Sequence, residues 1–180
     1  MRHFLTLRDL PKSEIIKIIN RSIDLKRNGH KYQDAFRGKT LTMLFSKPST
    51  RTRVSAETAW NSYGGSCLFL GKSDGQWGIE PLRDTSTVIS SMADAILVRC
   101  GAHSEIEEIA KYSAVPVINA LSDLYHPLQM LADLVTLKET FNMLDGLSIA
   151  WIGDANNVLN SWLVTGPRLG IRMSIATPQG

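Results

Sequence analysis

The sequence predicts an α/β fold, a parallel sheet covered by helices on both faces and followed by the start of a second α/β domain. Three observations predict it. Short apolar, strand-like runs alternate with helix-period stretches along the 180 residues, the pattern of βαβ units and therefore of parallel strands. The composition, 43% hydrophobic and 21% charged, is that of a globular chain with a core to bury. The longest apolar runs, such as Ala95 to Val98, fall far short of the ~20 residues that span a bilayer. The same figures exclude a disordered tail, a collagen-like fibre and, with only two cysteines, a disulfide-stapled scaffold.

Each element has its own signal. Pro11, Lys12, Ser13 and Glu14 open a helix whose Ile15, Ile16, Ile19 and Ile23 share one side, with Gly29 as its stop. Residues 40–45 read as a buried strand, 53–63 as a helix closed by Gly64 and Gly65, and 66–70 as a second strand. A polar, Gly-rich loop covers 71–78. A helix near 84–92 leads to a strand at 95–99, a helix near 104–112 and a fourth strand at 115–119. A longer helix runs over about 128–142 and a fifth strand over 147–152; a helix near 157–169 and a strand at 172–176 add one further βαβ unit. Parallel sheets bind ligands beyond the carboxyl ends of their strands. The loops after Phe45, Val98, Asn119 and Ile152 are therefore the candidate positions for chemistry. The expected division is a first domain over 1–137 and the beginning of a second, incomplete one over 138–180, because a doubly wound sheet normally continues past such a strand.

Net charge is only +3, too small to argue for a nucleic-acid surface. Its distribution says more: between Ala35 and Ala56 stand Arg37, Lys39, Lys47, Arg51 and Arg53 and no acid. The stretch either holds an anion or forms a solvated basic face. Cys67 and Cys100 are isolated among apolar residues, without ligand spacing, and read as buried thiols in a reducing compartment. Met1 to Leu5 show neither a signal-peptide core nor an Arg/Ser-rich presequence. A soluble intracellular protein is expected, cytoplasmic, or in the mitochondrial matrix if a presequence has been removed.

The stretch from Ser46 to Arg53 lies between a strand and a helix. A helix N-terminus offers unpaired N–H groups and the positive end of a dipole. Here it also offers the hydroxyls of Ser49, Thr50 and Thr52 and the guanidinium groups of Arg51 and Arg53, which suit a phosphate. One or two such residues would be an ordinary cap; a continuous run of donors favours binding. The run Phe45-x-Lys-Pro-Ser-Thr-Arg-Thr-Arg53 resembles the carbamoyl-phosphate signature of the aspartate and ornithine carbamoyltransferases. His126-Pro-Leu-Gln129, opening a helix, is similar to the family's second signature.

The resemblance carries specific implications. Ser49, Thr50, Arg51 and Thr52 would hold the phosphate. Arg99, at the end of its strand, would contact the carbamoyl group together with His126, and Gln129 would hold the carbamoyl NH₂. The catalytic set is Arg51, Arg99 and His126. Gln76, in the loop from Gly71 to Gly78, resembles a phosphate-contacting position that reaches a neighbouring subunit's site, although Trp77 replaces an expected aliphatic residue. Gly153-Asp-Ala-Asn-Asn157 resembles the element of the ornithine enzymes whose second Asn, here Asn157, binds the amino acid. The aspartate enzymes carry cationic side chains nearby, so the neutral amides point to ornithine. Asp154 and Asn156 read as turn and cap residues, and a lone Gly153 without GxGxxG argues against dinucleotide binding.

The resemblance thus implies transfer of a carbamoyl group from carbamoyl phosphate to the δ-amine of L-ornithine, giving L-citrulline and phosphate, as in arginine biosynthesis and the urea cycle. It implies a Rossmann-like second domain, no cofactor, no metal, no nucleic-acid or membrane partner, and a homotrimer with sites shared between subunits. It covers only part of the family's chain, lacking the later Asp-x-x-x-Ser-Met and His-Cys-Leu-Pro stretches, so the piece alone is expected to be inactive. The alternatives are transfer to another amine (aspartate, putrescine, an acylated ornithine) or a non-catalytic α/β anion-binding module.

Overall fold

The computed structural model describes residues 1–178; positions 179 and 180 of the expected second domain lie outside the described residues. In chain order the elements are α1 (Lys12–Asn28), β1 (Thr40–Phe45), α2 (Arg51–Ser62), β2 (Ser66–Gly71), α3 (Leu82–Met92), β3 (Ala95–Arg99) and α4 (His103–Tyr112). They continue as β4 (Val117–Leu121), α5 (Pro127–Phe141), β5 (Ser148–Ile152), α6 (Asn157–Thr165) and β6 (Arg172–Ala176). Contacts gather them into two compact units, Met1–Leu5 with Gly29–Asp123, and Thr6–Asn28 with Leu124–Gly180.

The first unit is a four-stranded parallel sheet in the order β2-β1-β3-β4. Its middle strands are near-continuous apolar runs buried along their length, as a sheet covered on both faces requires. Ile96, Val98, Ile106, Ile109 and Val117 form a core shared by β3, β4 and α4. β2 is an edge: Leu68 is exposed, and Cys67 is only half-buried, which corrects the expected burial of both thiols. Cys100, directly after β3, is fully buried. β4 begins two residues later than its apolar run suggests. Ser113 Oγ takes the N–H of Val115 and Pro116 has none to give, so pairing starts where the Pro116 carbonyl accepts from Ile96 N–H. On its outer side β4 pairs with Phe4, whose N–H reaches Val117 O and whose carbonyl accepts from Asn119 N–H, both at 2.8 Å.

The second unit pairs β5 and β6 in parallel and adds α1, α5 and α6. On α1, Ile15 and Ile19 are buried, and the helix is tied to α5 by an ion pair of 2.7 Å between Lys26 and Glu139. Arg168 donates to the carbonyls of Leu7, Arg8 and Leu10 at 3.1, 2.6 and 2.6 Å, fixing the turn before α1. α5 has Pro127 in its first turn and ends at Asn142, whose φ of 57° lets it serve as a left-handed cap. The helix expected over 157–169 is two pieces, α6 and a short 3-10 turn, Pro167–Leu169, because Pro167 cannot donate to the helix.

Candidate active site

The strand order reverses direction between β1 and β3, and α/β sheets leave a ligand crevice at the carboxyl ends of such a pair. Phe45 and Arg99 are register partners there, and Ser46 N–H donates to Arg99 O at 2.9 Å. α2 starts at Arg51, two residues earlier than predicted, so Arg51 and Thr52 belong to its first turn. Its first recurrent bond runs from Val54 N–H to Thr50 O, and the Thr50 side chain makes no cap hydrogen bond. The N–H groups ahead of Val54 have no acceptor within the helix. They face the crevice end of the sheet with the positive end of the helix dipole.

The charges there are unbalanced. The Arg99 guanidinium is held below its ordinary value, first by burial and then by the nearby Arg51 cation, and Arg99 Nε has no hydrogen-bond partner. Burial and like charge both raise the energy of the Arg99 cation, and an anion beside it lowers it. The Lys47 ammonium lies along Gly101, beside the same strand end. Arg53, grouped with Arg51 in the sequence reading, is engaged otherwise: its guanidinium lies 3.6 Å from the centre of the Phe69 ring. Gln76 is exposed, its backbone carbonyl accepting from Ile79 and Glu80, whereas its neighbour Trp77 is 5% exposed and packs into the first unit's core. Trp77 is thus an anchor of the Gly71–Gly78 loop.

The second unit holds His126, Gln129 and Asn157. His126 caps α5, its Nδ1 accepting from Gln129 N–H at 3.4 Å. A neutral ring used this way carries its proton on Nε2, where it can donate. Gln129 Nε2 donates to Asp133 Oδ1 at 2.8 Å, and Trp162 Nε1 fixes the other Asp133 oxygen. One of the two N–H donors of the amide is thereby engaged, which orients the group. Asn156 is the cap of α6 as expected, accepting from Val158 and Leu159 N–H, and Asn157 is the helix's first residue. The buried Ser161 hydroxyl joins the two places: it donates to Asn157 O and accepts from His126 N–H, both at 2.8 Å.

Asp133 and Ser161 are the supporting residues that sequence reasoning missed. Asp133 follows Gln129 by one helical turn, a spacing that signals contact; Ser161 is 35 residues from His126 and gives no such signal. Among the described residues no group of three or more His, Cys, Asp or Glu side chains could hold a metal ion, and no helix is long and apolar enough to cross a membrane.

Comparison with known proteins agrees with this fold. The family profile described as aspartate/ornithine carbamoyltransferase, carbamoyl-P binding domain, matches residues 2–139. The chain belongs to the aspartate/ornithine carbamoyltransferase family. It is 46% identical to the mitochondrial ornithine carbamoyltransferase of Schizosaccharomyces pombe, across 99% of this chain and 57% of that protein. It superposes on the crystal structure of the anabolic ornithine carbamoyltransferase of Campylobacter jejuni with a TM-score of 0.92 and 46% identity, covering 99% of this chain and 59% of that one. The mitochondrial enzyme of Coccidioides immitis gives 0.94 and 45%, covering 99% and 60%. The chain spans 57% to 60% of the length of the first curated relatives it matches.

Proposed function

We propose that the chain carries the carbamoyl-phosphate half of an ornithine carbamoyltransferase, which moves the carbamoyl group of carbamoyl phosphate to the δ-amine of L-ornithine in arginine biosynthesis. The observation that carries the reading is the placement of Arg99, whose buried Nε has no hydrogen-bond partner, close to Arg51 at the N-terminus of α2 and the reversal of strand order. In this reading 1–137 is the carbamoyl-phosphate domain, in line with the matched span of 2–139, and 138–180 belongs to the amino-acid domain.

The chemistry follows from the donor set. Ser49, Thr50, Arg51 and Thr52, with Gln76 from a neighbouring subunit of a homotrimer, bind the phosphate. Thr52, Arg99 and the Nε2–H of His126 stabilise the carbonyl oxygen as the amine adds and it becomes an oxyanion; phosphate then leaves. Gln129, oriented by Asp133, accepts from the carbamoyl NH₂, and Asn157 holds the amino-acid end of ornithine. Preorganised donors and alignment supply the catalysis. Removing one such donor costs ~3 kcal/mol of transition-state stabilisation, about a hundredfold in rate. The protein works in the cytoplasm or the mitochondrial matrix; the fission-yeast relative is named as mitochondrial.

Calorimetry with carbamoyl phosphate and with inorganic phosphate tests the reading. Wild type binds both, and Arg51→Ala abolishes binding while its melting temperature stays within the range of a neutral surface substitution. Arg51→Lys fails too, because a point charge cannot reproduce two-pronged phosphate contacts. With ornithine added, the 180-residue chain binds without forming citrulline. Unchanged affinity in Arg51→Ala overturns the assignment.

A further inference from the structure

Arg99 stands at an irregularity of the sheet. Val98 pairs with Asn119 and Arg99 with Leu121, so Ala120 is an extra residue in β4. A bulge bends the strand and re-aims the side chains beside it. The turn that follows β3 is then fastened to the end of β4. Cys100 N–H donates to Leu121 O at 3.1 Å, and Asp123 N–H to Gly101 O at 2.7 Å. The Asp123 carboxylate accepts from His103 N–H at 2.8 Å, in the first turn of α4, where the N-cap Ala102 offers no side-chain cap. His103 Nδ1 and Ser122 Oγ lie 2.8 Å apart, and both residues are buried.

We infer that Asp123, supported by His103 and Ser122, is a positioning residue for Arg99: it fixes the bulged end of β3 so that the guanidinium is presented to the anion. The inference rests on the reading of that crevice as the carbamoyl-phosphate site. Its force comes from a conflict of signs. Asp123 is an exposed carboxylate whose charge is felt at Cys100, the residue after Arg99. Near an anion site such a charge opposes binding, so the contribution of Asp123 lies in the hydrogen bonds that hold the turn.

Charge and position are separated by titrating the 180-residue chain with inorganic phosphate. Asp123→Ala weakens binding by about tenfold, the scale of coupling between residues in one network. Asp123→Asn keeps a carbonyl acceptor for His103 N–H and binds at least as well as wild type. In an Arg99→Ala background, where Arg51 and α2 still hold phosphate, Asp123→Ala has no further effect, which a general loss of structure would not reproduce. Ser122→Ala, which cuts the other arm, gives the same comparison if Asp123→Ala does not fold. Tighter binding in both Asp123 variants, or equal weakening with and without Arg99, overturns the inference. An Arg51→Ala control that keeps full affinity overturns the reading of the crevice itself; loss at Arg51 with none at Asp123 or Ser122 overturns only the positioning role.

Discussion

Two cysteines of one sheet acquire different characters from their places in it. Cys100, sealed behind the end of β3 with its thiol 3.1 Å from Ala102 O, is pushed up to about 12, chiefly by burial and then by Glu105. Cys67, on the edge strand, is raised by burial and by Glu57 but stays within reach of solvent. A thiol reagent near neutral pH therefore modifies Cys67 in the native protein and Cys100 only on unfolding, which mass spectrometry of labelled peptides reads directly. The raised Cys100 also sets a pH dependence. Its folded state keeps the proton that the unfolded thiol gives up at 9.0, so this stability is intact below that value and is lost as pH climbs toward about 12. Urea unfolding across that window shows a shallower alkaline loss for Cys100→Ala than for wild type. Sequence reading singled out the candidate anion loop because its donors are contiguous, and it singled out His126, Gln129 and Asn157 through short local signatures. The supports escaped it wherever the partner is distant: Ser161 under His126, Asp123 behind Arg99, and Phe69 beneath Arg53.

At the scale of elements, an acid helps to hold the amino end of the sheet. Asp94 accepts from Lys39 Nζ at 2.8 Å and from Thr40 N–H at 2.9 Å, so the loop before β3 grips the first residue of β1. The Lys39 hydrogen bond, with that of Thr40 behind it, lowers the Asp94 carboxyl below its ordinary value of 3.8. A depressed carboxyl stabilises the fold above its unfolded value and loses that contribution as pH falls through the folded one. Thermal melts of wild type should drop more steeply in acid than those of Asp94→Asn, which keeps an acceptor and has no charge to lose; parallel acid profiles would refute the grip. The identities of α1 to α6 and β1 to β6 were readable from the sequence pattern, whereas the 3-10 turn Gly29–Tyr32 was not. Their ends moved where one residue changed the hydrogen bonding: Pro116 delays β4, Pro167 divides the last helix, and Thr50, helical in its own backbone angles, starts α2 early.

For the whole molecule, the two units are interleaved along the chain, since Thr6–Asn28, with α1, belongs to the second unit while Met1–Leu5 and Gly29–Asp123 belong to the first. Periodicity shows α1 as an amphipathic helix but carries no information on which segment covers it. Arg168 is the tie that makes the assignment definite, with its guanidinium on three carbonyls of the turn before α1. Arg168→Ala leaves the part-buried Leu7 and Leu10 carbonyls without this donor and should destabilise the second unit by ~2 kcal/mol. Hydrogen exchange should place the loss in α1 and α5 and leave the four-stranded sheet unchanged.

The same interleaving sets a schedule for the nascent chain. α1 leaves the ribosome ahead of the sheet, yet α5 and Arg168, which receive it, follow after the entire four-stranded sheet has emerged. At translation speeds of ~5–20 residues per second, the exposed isoleucine face of α1 waits on the order of ten seconds for its partners. That interval is the time in which a ribosome-associated chaperone has the helix to itself.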